Sequence, residues 1–306
     1  MIETFDVLLA LGGLVAGLMV GLTGMGGAVL VTPLLILAFG IPPAAAVSSD
    51  VVANAIVKPV GSLVHVRQGT AHWGLAIWLS VGSVPGVLIG TLAFARLFEG
   101  SETGALLKTW IGIVLLVALG AMLVRSQLPR LLPRLRRRPP EVVPLDDPRR
   151  GPKAPVHRAL TIAIGFVVGV LVGTTSVGSG SLIVTSLLLL YPLLLPSVLV
   201  GTDLLQAVPM LFAGAIAHAT LGVVDWRVTA ALLVGEIPGV WLGARMSSRY
   251  NGMGLRALLM VILASTALKL LGVPTVICGT IAVVGVVAVI VHLARERAAA
   301  QPVTPA

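Results

Sequence analysis

Long apolar runs alternate with short polar breaks along the whole chain. Such runs lie at about 7–23, 28–40, 44–66, 73–96 and 105–124, and again at about 158–175, 180–195, 198–220, 227–246, 255–271 and 274–293. Most have the length a helix needs to cross bilayer hydrocarbon. The second run of each set is short. At 1.5 Å per residue, the thirteen residues 28–40 reach only about 20 Å of a core roughly 30 Å thick. Each short run must continue as extended chain, or dip into the membrane and return. The helix breakers stand where such a run would end, at Gly40, Ile41, Pro42 and Pro43, and at Tyr191, Pro192 and Pro196.

The two sets are copies. At an offset of 153, Gly27 falls on Gly180, Thr32 on Thr185, Ser49 and Asp50 on Thr202 and Asp203. Gly61, His65, Gly69 and Trp73 fall on Gly214, His218, Gly222 and Trp226. Gly82, Pro85, Gly86 and Gly90 fall on Gly235, Pro238, Gly239 and Gly243. One residue earlier in register, Gly13, Gly17 and Gly21 fall on Gly165, Gly169 and Gly173. A duplicated membrane unit with matching polar interruptions is the pattern of a transporter built from repeats. The expected organisation is a first repeat at 1–124, a linker at 125–157, a second repeat at 158–272 and a terminal span with a short tail at 273–306.

Composition agrees with a membrane bundle. Apolar residues make up 57% of the chain and charged residues 11%, too few to cover a soluble core of this size. The expected fold is an all-α polytopic membrane protein: two inverted repeats of about five hydrophobic segments each, with broken or re-entrant short helices. The single Cys278 leaves no intramolecular disulfide. Glu3 and Asp6 occupy the place of a signal peptide's basic residues, so the first run reads as a mature span.

The net charge of +9 is concentrated in one segment, because residues 125–158 hold ten basic and three acidic residues. This Pro-rich stretch reads as a disordered cytoplasmic linker, with anionic lipid headgroups as secondary contacts. No aromatic or folded module accompanies the arginines, so nucleic acid is not an expected partner. If the short runs cross, each half has five crossings and the halves insert oppositely. Arg67, Arg245, Arg249, Arg256, Arg295 and Arg297 then share the linker's side, while Glu99, Glu102 and the N-terminus lie outside. Arg96, Lys108 and Arg227 are exceptions. The expected placement is a bacterial inner membrane, multi-pass, with the N-terminus outside and the C-terminus cytoplasmic.

Three features carry candidate chemistry. The first is a glycine-rich break after the first run of each half: Gly24, Met25, Gly26 and Gly27, then Ser176, Val177, Gly178, Ser179, Gly180 and Ser181. Glycine permits close approach of a ligand, and the following helix offers unpaired N–H groups and its positive dipole end to an anion. The bland alternative is a tight turn. No Walker-type Lys-Ser/Thr pair follows, so a nucleotide loop is excluded.

The second feature is a polar stripe on the third run. Asp50, Asn54, Lys58, Gly61 and His65 share one helical face, and Asp203, Gln206, Gly214 and His218 mark the equivalent face of the copy. The aspartates follow hydroxyl residues near the start of their runs and read as helix caps, as structural bonds in a polar seam between helices, or as proton-coupling groups. His65 and His218 read as interfacial structural groups or as a proton relay. They lie in different copies, so no metal site is expected. The third feature is broken symmetry: Lys58 stands opposite Leu211, and Glu236 opposite Ser83. Either the two form a buried ion pair, or Lys58 attracts an anion while Glu236 carries a proton. The fourth-run glycines, with Pro85 and Pro238, read as helix packing and kinks.

These residues resemble the sulfite exporter TauE/SafE family. The resemblance rests on Gly-Met-Gly-Gly-Ala-Val-Leu-Val-Thr-Pro-Leu-Leu at 24–35, Ala-Val-Ser-Ser-Asp at 46–50, and His65, Gly69 and Trp73. The second copy adds Gly-Thr-Asp at 201–203, His218, Gly222 and Val-Asp-Trp at 224–226. It covers roughly residues 7–272 and implies transport of small sulfur-containing or other organic anions. Ser176, Ser179 and Ser181 interrupt the second glycine break, and the arginine-rich linker is also unusual.

The expected function is a secondary transporter, an exporter of a small anion such as sulfite or a sulfonate, working by alternating access at the repeat interface. Substrate would meet Gly24, Gly26, Gly27, Lys58, Ser176, Gly178, Ser179, Gly180 and Ser181. Asp50, Asn54, His65, Asp203, Gln206, His218 and Glu236 are the coupling or gating candidates, with protons as the coupling ion. No catalytic residue, metal or cofactor is expected. The rivals are an intramembrane serine hydrolase using Ser179 with His218, and a passive anion channel.

Overall fold

The computed structural model describes residues 2–23, 28–98, 104–131, 156–192, 194–221, 224–247 and 253–299. These form helices α1 (Ile2–Thr23), α2 (Ala28–Leu37), α3 (Pro43–Arg67), α4 (Trp73–Leu97), α5 (Gly104–Leu131), α6 (Arg158–Thr175), α7 (Ser181–Leu190), α8 (Pro196–Leu221), α9 (Trp226–Ser247), α10 (Met253–Leu270) and α11 (Thr275–Ala299). Six of them, α1, α3, α4, α5, α6 and α8, are long and apolar enough to cross a bilayer. There is no strand among the described residues. The molecule is an all-α polytopic membrane protein.

The short second run is real in both halves. α2 and α7 each hold ten residues, about 15 Å of helix. Each returns the chain to the end where its predecessor began. Phe39, just past α2, meets Phe5 of α1 edge-on at 5.7 Å. Tyr191, just past α7, stacks on His157 at 5.8 Å, and its hydroxyl accepts from the His157 N–H at 2.8 Å. The same hydroxyl shares a 2.8 Å bond with Thr161.

Helix pairing repeats when the halves are exchanged. α1 packs on α9 as α6 packs on α4, and α3 lies on its own counterpart α8. α4 packs on α8 as α9 packs on α3, α2 on α10 as α7 on α5, and α5 on α10. α11 packs on α10, outside this scheme. The α4–α6 and α1–α9 pairs run parallel and touch backbone to backbone. Gly82, Gly86 and Gly90 lie against the carbonyls of Ile162, Phe166 and Val170, while Gly165, Gly169 and Gly173 lie against those of Leu79, Ser83 and Val87. Gly235, Gly239 and Gly243 lie against the carbonyls of Ala10, Leu14 and Leu18, and Gly13 and Gly17 against those of Leu232 and Glu236. A Cβ at any of these positions would stand under 3.0 Å from a carbonyl oxygen. In lipid, where apolar contact alone does not hold helices together, such close approach supplies the packing energy. The glycine runs are therefore frame.

The central pair α3 and α8 runs antiparallel. Gly61 faces Leu204, Gly214 faces Val51, and Ser48 meets His218 at 3.1 Å. α3 starts at Pro43, with proline in the position where a missing N–H is harmless. Asp50 thus lies two turns inside the helix, and Asp203 lies equally deep in α8. Of the two structural readings of the aspartates, capping is corrected, because both lie past the first turn where N–H groups are free, while structural bonding is seen to Thr32, Asn54 and Gln206.

Candidate functional site

The polar stripes of α3 and α8 face each other across the centre of the bundle. Asp50, Asp203 and Gln206 are 0% exposed, and Lys58 and Glu236 2%. On the α3 side, Thr32 of α2 donates to Asp50 Oδ2 at 2.6 Å, and Asn54 Nδ2 donates to Oδ1 at 2.7 Å. On the α8 side, Gln206 Nε2 donates to Asp203 Oδ1 at 3.4 Å, and Ser83 of α4 donates to Gln206 Oε1 at 3.1 Å. Lys58 joins the halves. Its Nζ donates to Ser179 Oγ at 3.1 Å and lies 3.9 Å from Asp203 Oδ2.

The second glycine break belongs to this cluster. Ser176 closes α6 in the left-handed conformation, with φ of 61°, which non-glycine residues seldom adopt. Gly178 follows at φ 119°, and Gly180 sits just before α7. Ser176, Ser179 and Ser181 are all buried. Ser176 lies against the Asp50 carboxylate, and the Ser181 hydroxyl has no hydrogen-bond partner among the described residues. Buried hydroxyls left unpaired are uncommon. Ser176 and Ser181 stand either side of the lysine-bound Ser179 in sequence, and Ser181 opens α7. Gly24, Gly26 and Gly27, the matching residues of the first break, lie outside the described residues.

The ion pair considered between Lys58 and Glu236 is not formed; the acid beside Lys58 is Asp203. The antiparallel register of α3 on α8 decides this, because it brings the start of α8 to the second half of α3. Lys58 also reaches Asp50 electrostatically, and Arg125 of α5 reaches Asp203. Glu236 interacts with Asp50, and its Oε2 has no hydrogen-bond partner.

The histidines stand apart. His218 Nε2 donates to the Gly173 carbonyl at 2.9 Å, its Nδ1 meets Ser48 Oγ at 3.1 Å, and its ring lies 5.1 Å from that of Phe94. His65 Nδ1 pairs with Thr70 Oγ1 at 2.8 Å in the turn after α3. The Ser179–His218 dyad needed for a hydrolase is absent, since each side chain is committed elsewhere. A groove of about 540 Å³ lies between α3, α4 and α8, lined by Pro59, Leu63, Ile77 and Pro209 among others. None of the charged cluster lines it.

Several site residues were not singled out from the sequence. Thr32 anchors Asp50, and Ser83 anchors Gln206. Ser49 Oγ donates to the Asp225 carbonyl at 3.2 Å and accepts from its N–H at 3.0 Å, while Thr202 Oγ1 accepts from the His72 N–H at 3.0 Å. Asp225 and His72 are equivalent positions, each beside the first tryptophan of a fourth helix. The signal was present in the duplicated hydroxyl before each aspartate.

The family model of the sulfite exporter TauE/SafE matches residues 9–270, a region that includes every side chain of the cluster. The chain belongs to the TauE/SafE family. It is 38% identical over 268 residues to the probable membrane transporter protein YjnA of Bacillus subtilis, covering 87% of this chain and 100% of that protein. It is 27% identical over 255 residues to YunE of the same organism, also a probable membrane transporter, covering 80% of this chain and 88% of that one. A probable membrane transporter of Xylella fastidiosa (strain 9a5c) is 27% identical over 258 residues, covering 82% and 87%. No solved structure matches the chain. This TauE/SafE protein is a multi-pass membrane transporter.

Proposed function

We propose that the protein is a secondary transporter that exports a small anion, such as sulfite, a sulfonate or another organic anion. Transport proceeds by alternating access at the interface of two inverted repeats. The observation that carries this reading is the Lys58 ammonium. It is buried at 2% exposure and bonded to Ser179 in the opposite half's helix break, which also holds the buried Ser176 and Ser181. A buried cation held by a serine at a helix N-terminus is a site for a small anion. An anion entering there exchanges the Lys58–Ser179 bond for its own bonds to both halves, so its arrival and departure are linked to their relative motion.

The antiparallel course of α3 and α8 supports inversion of the repeats. The return of α2 and α7 to the starting ends of α1 and α6 supports a true crossing by each short segment. With five crossings per half, the arginine-rich linker and the C-terminus are cytoplasmic and the N-terminus is external in a bacterial plasma membrane. Asp50, Asp203 and Glu236 supply acids for proton coupling.

The test is flux of radiolabelled sulfite and sulfoacetate in proteoliposomes, per mole of folded protein. Lys58→Ala removes a charged hydrogen-bond donor worth about 1.5–3 kcal/mol, so anion affinity falls about 10-fold or more and flux at low substrate is lost. Full flux in that variant would remove Lys58 from the mechanism. Single-channel conductance by the wild type in planar bilayers would replace the carrier with a pore.

A further inference from the structure

Glu236 occupies, in the second half, the place that Ser83 occupies in the first. Ser83 ends a closed hydrogen-bond chain, donating to Gln206, which donates to Asp203. Glu236 stands at the corresponding place beside Asp50, with Oε2 buried and unbonded. The helices packed on α9 are α1 and α3. On α1, Gly13 and Gly17 lie against its backbone. The charged group that reaches it from α3 is Asp50. Lys58 is turned to Ser179 and Asp203. Asp50 accepts from Thr32 and Asn54 through both oxygens, as a carboxylate does, and Asp203 has Lys58 at 3.9 Å. Among the described residues no donor reaches Glu236 Oε2, and the charged group that acts on it is Asp50. An unpaired buried carboxylate is costly beside a second one, and a bound proton removes that cost.

We propose that Glu236 carries the coupling proton, and that the proton travels with the anion rather than against it. The sign follows from charge. Asp50 and Asp203 already share Lys58, so an ionised Glu236 adds a third buried negative charge beside one ammonium, and a proton on Glu236 removes it. An added anion opposes loss of that proton, and by reciprocity the proton favours the anion. In each turnover the Glu236 O–H bond breaks when the cluster opens to one side, and the proton passes to water. The carboxylate is reprotonated from water on the other side. With a divalent anion the loaded site carries net negative charge outward down an inside-negative potential.

This inference rests on the anion-transporter reading, and its test separates the two. In proteoliposomes an imposed pH gradient is expected to drive accumulation of radiolabelled sulfoacetate or sulfite by the wild type, with protons entering alongside. Glu236→Gln is expected to lose at least ten-fold of gradient-driven accumulation while still exchanging internal for external anion. Failure of the wild type to move either anion refutes the transporter reading. Wild-type flux indifferent to the gradient, or Glu236→Gln accumulating normally, overturns Glu236 alone. Infrared spectra provide a readout that needs no substrate: a protonated-carboxyl C=O band at neutral pH in the wild type, absent from Glu236→Gln. Its absence from the wild type, or persistence in the variant, also overturns the assignment.

Discussion

Replacement of Gly86 by leucine is expected to prevent α4 from docking on α6. The Gly86 Cα lies so near the Phe166 carbonyl that any Cβ would overlap it. The obstacle is backbone, not the tip of a flexible side chain, so no rotamer change relieves it. Relief requires the two helices to move apart, which undoes the neighbouring contacts of Gly82, Gly90, Gly165, Gly169 and Gly173 as well. The cost is expected to reach at least about 3 kcal/mol, the upper part of the range for overpacking. Its readout is a large fall in the melting temperature of detergent-solubilised protein and loss of the monodisperse peak. Gly239→Leu on the α1–α9 seam should do the same. Leu88→Ala, an exposed position on α4, should stay within about 0.5 kcal/mol. Equal effects of Leu88→Ala and Gly86→Leu would mean that the seam is not what holds these helices.

The second large effect separates the structural from the transport role of Lys58. Loss of Lys58 alone leaves Asp203 buried without its nearest cation, which costs about 3–5 kcal/mol in comparable buried pairs. Lys58→Met combined with Asp203→Leu removes both charges and fills similar volume. Such a replacement is neutral or stabilising by about 1–4 kcal/mol. The double variant is therefore expected to regain thermal stability but to bind and move no anion. Recovery of flux together with stability would reduce Lys58 to a strut.

Much of this architecture was legible from hydropathy because the bilayer demands long uninterrupted apolar runs. The short α2 and α7 were visible for the same reason, being too few residues to span. The glycine seams were legible because a four-residue spacing places small residues on one helix face. Helix starts were legible too, since the runs read from 44 and 198 begin as helices at Pro43 and Pro196. What was misjudged is the depth of Asp50 and Asp203, which lie too far inside to cap. The partners of the charged residues were not legible. Lys58 and Glu236 stand out as unmatched charges of opposite sign, which makes an ion pair between them attractive. Which acid meets Lys58 depends on how α3 lies against α8, and no single-helix periodicity encodes that. The same holds for Ser49 with Asp225 and Thr202 with His72, whose partners are more than a hundred residues apart. The Arg-rich linker and the first glycine break fall largely outside the described residues.

The central claim is that the serine break beside Lys58 is an anion site reached in turn from the two sides of the membrane. Cysteine at position 179, in a protein whose native Cys278 is replaced by serine, tests it most directly. A membrane-impermeant thiol reagent should modify Ser179→Cys from either face of sealed vesicles, and sulfite or sulfoacetate should slow both reactions. Modification from one face only, or labelling that ignores the anions, would contradict the account.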